Sequence, residues 1–153
     1  MKDNHFLIGG LFLLLIWTGL IILAPYLVAS KINLLNYIGT AIYFFMDPVC
    51  HQLPQRSLFL ASLPMPVCAR CFSIYLTGTM VFLWQLLSKK RKPWSLKIYI
   101  SLVVPVATEI LSEKLGFYHN WTELRMLSGS LMGVIIFKLI IESFLKVVKT
   151  SDY

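Results

Sequence analysis

The chain has 153 residues, 58% of them hydrophobic and only 14% charged, with a formal net charge of +7. Ordinary globular chains are about 45–50% apolar and about 25% charged, and a chain this short has too little polar surface to cover one soluble core. Composition therefore argues against a soluble domain and for an integral membrane protein in contact with the lipid bilayer. The basic residues gather at Lys89, Lys90, Arg91 and Lys92 and in the tail at Lys138, Lys146 and Lys149. Runs of this kind beside apolar segments read as topology signals. No basic-aromatic patch points to nucleic acid, so no nucleic-acid partner is expected.

Residues 6–28 (FLIGGLFLLLIWTGLIILAPYLV) are uncharged and exceed the about 20 residues that cross a bilayer. The run is too long for a signal peptide and LVAS is a poor cleavage site, so it reads as an uncleaved first span. Pro25 near its end fits a kink or stop. Residues 30–46 are apolar on average but carry Lys31, Asn33 and Asn36, with Ile32, Leu35, Ile38 and Ile42 near helical spacing. A short interfacial helix is expected there, ended by Asp47-Pro48. A loop over residues 47–71 follows.

The second span is expected over residues 70–88. The third covers residues 96–115, with Pro105 inside it, and the fourth covers residues 124–148. Gly129 and Gly133 in the last span form a small-xxx-small face that lets helix backbones approach; it is taken as a packing face, with an oligomer contact as the alternative. The expected fold class is all-α: a polytopic membrane bundle of four transmembrane helices plus a short interfacial helix, one membrane domain over residues 1–153. The positive-inside rule puts Lys89 to Lys92 in the cytoplasm, hence both termini too. Residues 47–71 then lie on the extracytoplasmic side, as does the loop carrying His119. Asn120-Trp121-Thr122 matches a glycosylation sequon, a short pattern given no weight here.

All three cysteines of the chain sit in that outer segment, CHQLPQRSLFLASLPMPVCARC. Cys68 and Cys71 are spaced as a turn or helix start places a metal-binding pair or a disulfide. Cys50, with His51 beside it, adds a third sulfur and an imidazole. Thiolates with imidazole suit zinc, copper(I) or iron, and four such groups close a tetrahedral site. Adjacent residues often point apart, so His51 can face away and leave the fourth position to Glu109, Glu113, His119 or water. Two alternatives stand beside the metal. One is a Cys68–Cys71 disulfide staple with Cys50 inert, although so small a loop stabilises little. The other is thiol redox chemistry, favoured by a helix N-terminus and nearby Arg70.

Glu109 and Glu113 are four apart and share a helix face. From Trp94 to Glu113 the third span rises about 29 Å, which puts Glu109 about 6 Å short of its outer end. Ionised groups at that depth are expensive unless paired or functional. Arg125, at the start of the fourth span, is the natural partner for one glutamate. In a functional reading one glutamate is a ligand or a general base on metal-bound water, with Arg125 beside it. Lys138 and Glu142 are expected to pair near the cytoplasmic surface.

At these residues the chain resembles a family of small prokaryotic membrane proteins, domain of unknown function 2085. The family's pattern has a Cys-His-Gln block followed by Arg-Ser, met here by Cys50-His51-Gln52 and Arg56-Ser57. Pro-Val-Cys-x-Arg-Cys and an Ile-Tyr pair come next, as Pro66 through Cys71 and Ile74-Tyr75. A later acidic residue and a loose Asn-x-Leu-Arg-x-x-Thr-Gly-like block correspond to Glu109 and to Thr122 through Gly129. The chain departs at Ser73, where glycine is expected, and at Glu123, where asparagine is expected, which puts a shared polar role of that last loop in doubt. The likeness covers residues 50–133, leaves the first helix outside, and implies a multi-span fold with a common polar constellation. It supplies no reaction.

The leading expectation is a metal site, zinc first and copper or iron next, built by Cys50, Cys68, Cys71 and either His51 or a glutamate. It would serve a metalloenzyme or a metal-handling protein. Arg56, Arg70 and Arg125 would offer positive charge to an anionic small molecule or lipid headgroup, or simply balance the thiolates and carboxylates. The rivals are a quinone-linked thiol-disulfide oxidoreductase using Cys68 and Cys71, and a structural subunit that docks a partner helix on Gly129 and Gly133.

Overall fold

A computed structural model describes residues 2–88, 93–117 and 121–151. The basic run at 89–92, His119 and Asn120 fall outside the described residues. Among the described residues five α-helices dominate: α1 Lys2–Val28, α2 Asn33–Met46, α3 Ala69–Leu87, α4 Leu96–Lys114 and α5 Thr122–Ser151. Between α2 and α3 the chain makes a 3-10 turn, Pro54–Arg56, and an antiparallel hairpin of β1 Ser57–Leu60 and β2 Leu63–Cys68.

Among the described residues, two helices are long and apolar enough to cross a membrane, over Asn4–Val28 and Thr122–Val147. These are two of the four expected spans; by length and apolarity alone α3 and α4 do not qualify. Arg70 and Gln85 in α3, and Lys97, Glu109, Glu113 and Lys114 in α4, make these two helices too polar to pass on length and apolarity. On α1, Leu7, Leu14, Thr18, Ile21 and Ala24 are buried along one stripe, while Phe12 and Leu13 on another face are about two-thirds exposed, at 65% and 67%. An apolar helix with one buried stripe and a wide bare apolar face is built for lipid contact.

The hairpin replaces what was expected to be an irregular loop. Ala61 and Ser62 take positive φ values of 50° and 64°, which makes a two-residue reversal between paired Leu60 and Leu63. Such turns usually carry Asn-Gly or Asp-Gly. The pairing loses its regular register between Ser57 and Phe59, opposite the part of β2 that contains Pro66, a residue unable to donate to a ladder.

Helices α3 and α5 run parallel in a register that advances four residues at a time. A Cβ built on Gly129 would lie 2.4 Å from the Arg70 carbonyl oxygen, and one on Gly133 would lie 2.7 Å from that of Ile74. One on Gly78 of α3 would strike the Phe137 ring at 2.3 Å. The glycine face thus packs inside the chain, against α3, as its reading as a packing face expects, and this occupies the surface the alternative oligomer contact would need. Small residues here let two backbones touch.

Two apolar layers fill the bundle. Near one end, Leu7, Leu14, Phe82 and Ile141 bring α1, α3 and α5 together. Near the other, Ile21, Met46, Met65 and Val67 join α1 and α2 to the hairpin. Asn36 of α2 donates from Nδ2 to the Val28 carbonyl at 2.8 Å, satisfying an end carbonyl of α1 and pinning α2 across it.

Gly129→Ala is expected to destabilise by about 1–3 kcal/mol through overpacking against the α3 backbone. Gly19→Ala, whose added methyl meets nothing within 4 Å, should be neutral or mildly stabilising. Unfolding midpoints in a mixed-detergent titration compare the two directly.

Candidate metal centre

Each cysteine is delivered by a local feature of the chain. Past α2 the backbone keeps turning, with the Val49 and Cys50 amides donating to the Met46 carbonyl at 3.0 and 3.1 Å. Gln52 then takes a positive φ of 47° and donates from Nε2 to the Tyr43 carbonyl at 2.6 Å. The Tyr43 hydroxyl donates to the Pro64 carbonyl, tying α2 to β2. The hairpin carries the chain out and back, and its register sets Ser57 opposite Cys68.

Cys68 is the N-cap of α3, with extended φ and ψ of −70° and 161°, so Cys71 falls in the first helical turn. The three sulfurs of Cys50, Cys68 and Cys71 all lie within 4.8 Å of one another. Tetrahedral thiolates at about 2.3 Å from one zinc ion stand about 3.8 Å apart, so a small contraction brings this group to ligand geometry. All three are free thiols.

The Cys68 amide donates to Cys50 Sγ at 3.1 Å. Hydrogen bonding from the Cys68 side chain, then from the Cys71 side chain, holds the Cys50 thiol well below the ordinary thiol range, against the opposing effect of burial. The N-terminus of α3 adds its positive dipole end. Protons shared among clustered sulfurs are what a bound cation displaces. Around the group lie Met65, Val67, Phe72 and Tyr75, an apolar wall that limits water. His51, one residue from Cys50, is exposed and is outside the sulfur group.

The carboxylates belong to a second cluster on the other side of the same helix start. Arg70 Nη2 donates to both oxygens of Glu109 at 2.9 and 2.8 Å and to Glu113 Oε2 at 2.8 Å. Arg125 donates to Glu113 Oε1, and Arg56 lies 3.5 Å from that same oxygen. Ser128 Oγ accepts from Arg70 Nε at 3.3 Å and donates to the Arg125 carbonyl at 3.1 Å. Three arginines thus surround two glutamates. The Arg125 side chain is 3% exposed, and its Nη1 is buried without a hydrogen-bond partner.

Neither glutamate enters the sulfur group. The Arg125 and Glu113 contact matches the pairing that spacing suggested. That the three arginines balance the carboxylates was one of the alternatives weighed from sequence; the specific bridge from Arg70 to both glutamates and the part of Ser128 were not anticipated. A signal existed in the arginine set between Cys68 and Cys71. Within one helical turn, a residue between two cysteines must point away from them, here toward α4 and α5.

A family model described as "Predicted membrane protein (DUF2085)" matches residues 50–139. The chain belongs to the DUF2085 family. An uncharacterized protein of Methanocaldococcus jannaschii is 31% identical over 135 residues, covering 84% of this chain and 85% of its own. An uncharacterized protein of Methanothermobacter thermautotrophicus is 28% identical over 87 residues, covering 56% of this chain and 78% of its own. No solved structure matches. The DUF2085 match holds all three cysteines, both glutamates and the three arginines, and leaves α1 outside as an apolar wall.

Removing Glu113 by Glu113→Ala strands the buried Arg125 and should cost about 3–5 kcal/mol in a detergent unfolding titration. Arg56, with its side chain 48% exposed, should cost under about 1 kcal/mol as Arg56→Ala.

Proposed function

We propose that this membrane protein holds a soft metal ion, zinc first and copper(I) or iron next, among the sulfurs of Cys50, Cys68 and Cys71. The supporting observation is the mutual 4.8 Å approach of three thiols from segments 18 positions apart. Three thiolates leave one position of a tetrahedral ion for water, for a transferred ligand or for His51. An exchangeable position suits either Lewis-acid chemistry or ion transfer. Glu109, Glu113 and Arg125 enter this reading as the electrostatic scaffold of Arg70, which sits between two ligands. With their oxygens engaged by guanidinium groups, the glutamates are poor candidates for a general base.

The same reading takes α3 and α4 as further membrane crossings, making four. Each has 19 residues, about 28 Å at 1.5 Å per residue, close to the hydrocarbon thickness of about 30 Å. Their polar residues lie at their ends or are paired, as with Arg70, Glu109 and Glu113. Both termini then face the cytoplasm with Lys89 to Lys92, and the sulfurs lie on the opposite side. Exposed Tyr37, Phe44 and Phe45 on α2 suit an interfacial helix.

Elemental analysis of the purified full chain, with thiol titration, tests the centre. About one ion per chain is expected. Cys50→Ser, Cys68→Ser and Cys71→Ser should each lose it, and His51→Ala should keep it. Metal-free protein with Cys68 and Cys71 oxidised and one titratable thiol would instead favour a thiol-disulfide oxidoreductase, for which Cys50 alone is an incomplete shuttle. Protease protection of a C-terminal tag in oriented membranes checks the topology.

A further inference from the structure

The end of the bundle away from the cysteines contains a cavity of about 620 Å³ that the metal reading does not use. Its size is that of a small-molecule site. From Cys71 to Gln85, which lines it, α3 advances fourteen residues, about 21 Å along the axis. A molecule seated there is remote from the sulfurs.

The walls are apolar: Met80, Trp84 and Leu87 from α3 and Val134 from α5. Two buried polar side chains interrupt them. Gln85 is 4% exposed, and its Nε2 has no hydrogen-bond partner. An amide buried this deeply without a partner is rare in native proteins and asks for an acceptor. Lys138 is 6% exposed, with Nζ 3.5 Å from Glu142 Oε1 and 5.5 Å from the Trp94 ring centroid. The same Glu142 oxygen accepts from the Trp94 amide at 2.9 Å, so the carboxylate is engaged while the ammonium still has donors to offer.

These groups select their occupant. Amide and ammonium donors call for an oxygen-rich acceptor, and the surrounding walls call for a hydrocarbon body. Lys138 brings a cationic ammonium to the wall, and that charge favours an anionic head. Gln85 lies two residues from the last residue of α3, about 3 Å in rise, near the level where a span meets the headgroups.

We propose that this cavity binds one anionic phospholipid. An acyl chain lies along Met80, Trp84 and Val134, and a phosphate oxygen accepts from Gln85 Nε2 and Lys138 Nζ. The site is independent of the thiol centre and survives or fails without it.

Native mass spectrometry of the full chain in detergent, titrated with phosphatidylglycerol and with phosphatidylcholine of the same acyl chains, tests the proposal. The unaltered protein should retain one phosphatidylglycerol with about tenfold preference over phosphatidylcholine, the scale of a hydrogen bond to a charged group. Gln85→Leu keeps the volume, removes the donor and should erase most of that preference. Val134→Phe fills the cavity, leaves both donors and should lower retention of both lipids about tenfold. Equal retention of the two lipids by the unaltered protein, or unchanged binding in both variants, overturns the proposal. Release of bound phosphatidylglycerol by millimolar inorganic phosphate alone also overturns it, by assigning the donors to a free anion. If Gln85→Leu does not fold by circular dichroism, Val134→Phe decides alone.

Discussion

Backbone meets backbone where α3 begins. The carbonyl of Arg70 occupies the space a side chain at position 129 would need, and only the absence of a Cβ at Gly129 lets the two helices close to that distance. Because the helices then stay in a four-residue register through Ile74 and Gly133 to Gly78 and Phe137, this contact orients the whole of α3. Rotation of α3 would move every chemical group on its first turn. Parallel helices locked by small residues can hold such a turn without a polar core of their own.

That first turn faces two ways. Cys68 and Cys71 look toward α1, α2 and the hairpin, where Cys50 is waiting against an apolar wall. Arg70 looks toward α4 and α5, where Glu109 and Glu113 take its guanidinium. The thiol group and the ion cluster therefore share one backbone segment and constrain each other. Charges in a low-dielectric setting are expensive to leave unpaired, so the arginine-glutamate cluster resists any rotation that would also spread the sulfurs. The thiol group, with the hairpin segment on one side, gains rigidity from this coupling, since neighbouring packing holds its sulfurs in one arrangement.

The two ends of the bundle are built differently. At the cysteine end most polar groups are paired or clustered, and among the described residues Arg125 Nη1 and Trp17 Nε1 are buried there without a hydrogen-bond partner. At the other end Gln85 and Lys138 are buried beside open volume rather than beside packed side chains. The DUF2085 match spans both ends through α3, α4 and most of α5, whereas α1 contributes apolar surface to both layers. The cysteines, arginines and glutamates of the two clusters thus all follow α1 and α2 along the chain, and α1 packs apolar surface beside Cys50 and Cys71.

Hydropathy is a sum over neighbours along the chain, so residue order alone sufficed for the membrane class, the positions of the long helices and the presence of α2 beyond Ser30. The spacing of Cys68 and Cys71, and of Glu109 and Glu113, likewise told which residues share a face, because helix periodicity is local. The hairpin was not legible: Ala61-Ser62 lacks the residues that usually mark such a turn, and Pro64 and Pro66 obscure a strand pattern. Nor was the partner of the glycine face, since Gly129 and Gly133 advertise close approach without naming what approaches. It took the folded chain to bring α3 onto that face, to carry Cys50 to the other two sulfurs while His51 stays exposed, and to give the glutamates to Arg70. These outcomes depend on the relative rotation of helices far apart in the chain, a quantity that crossing geometry sets and local residue order does not carry.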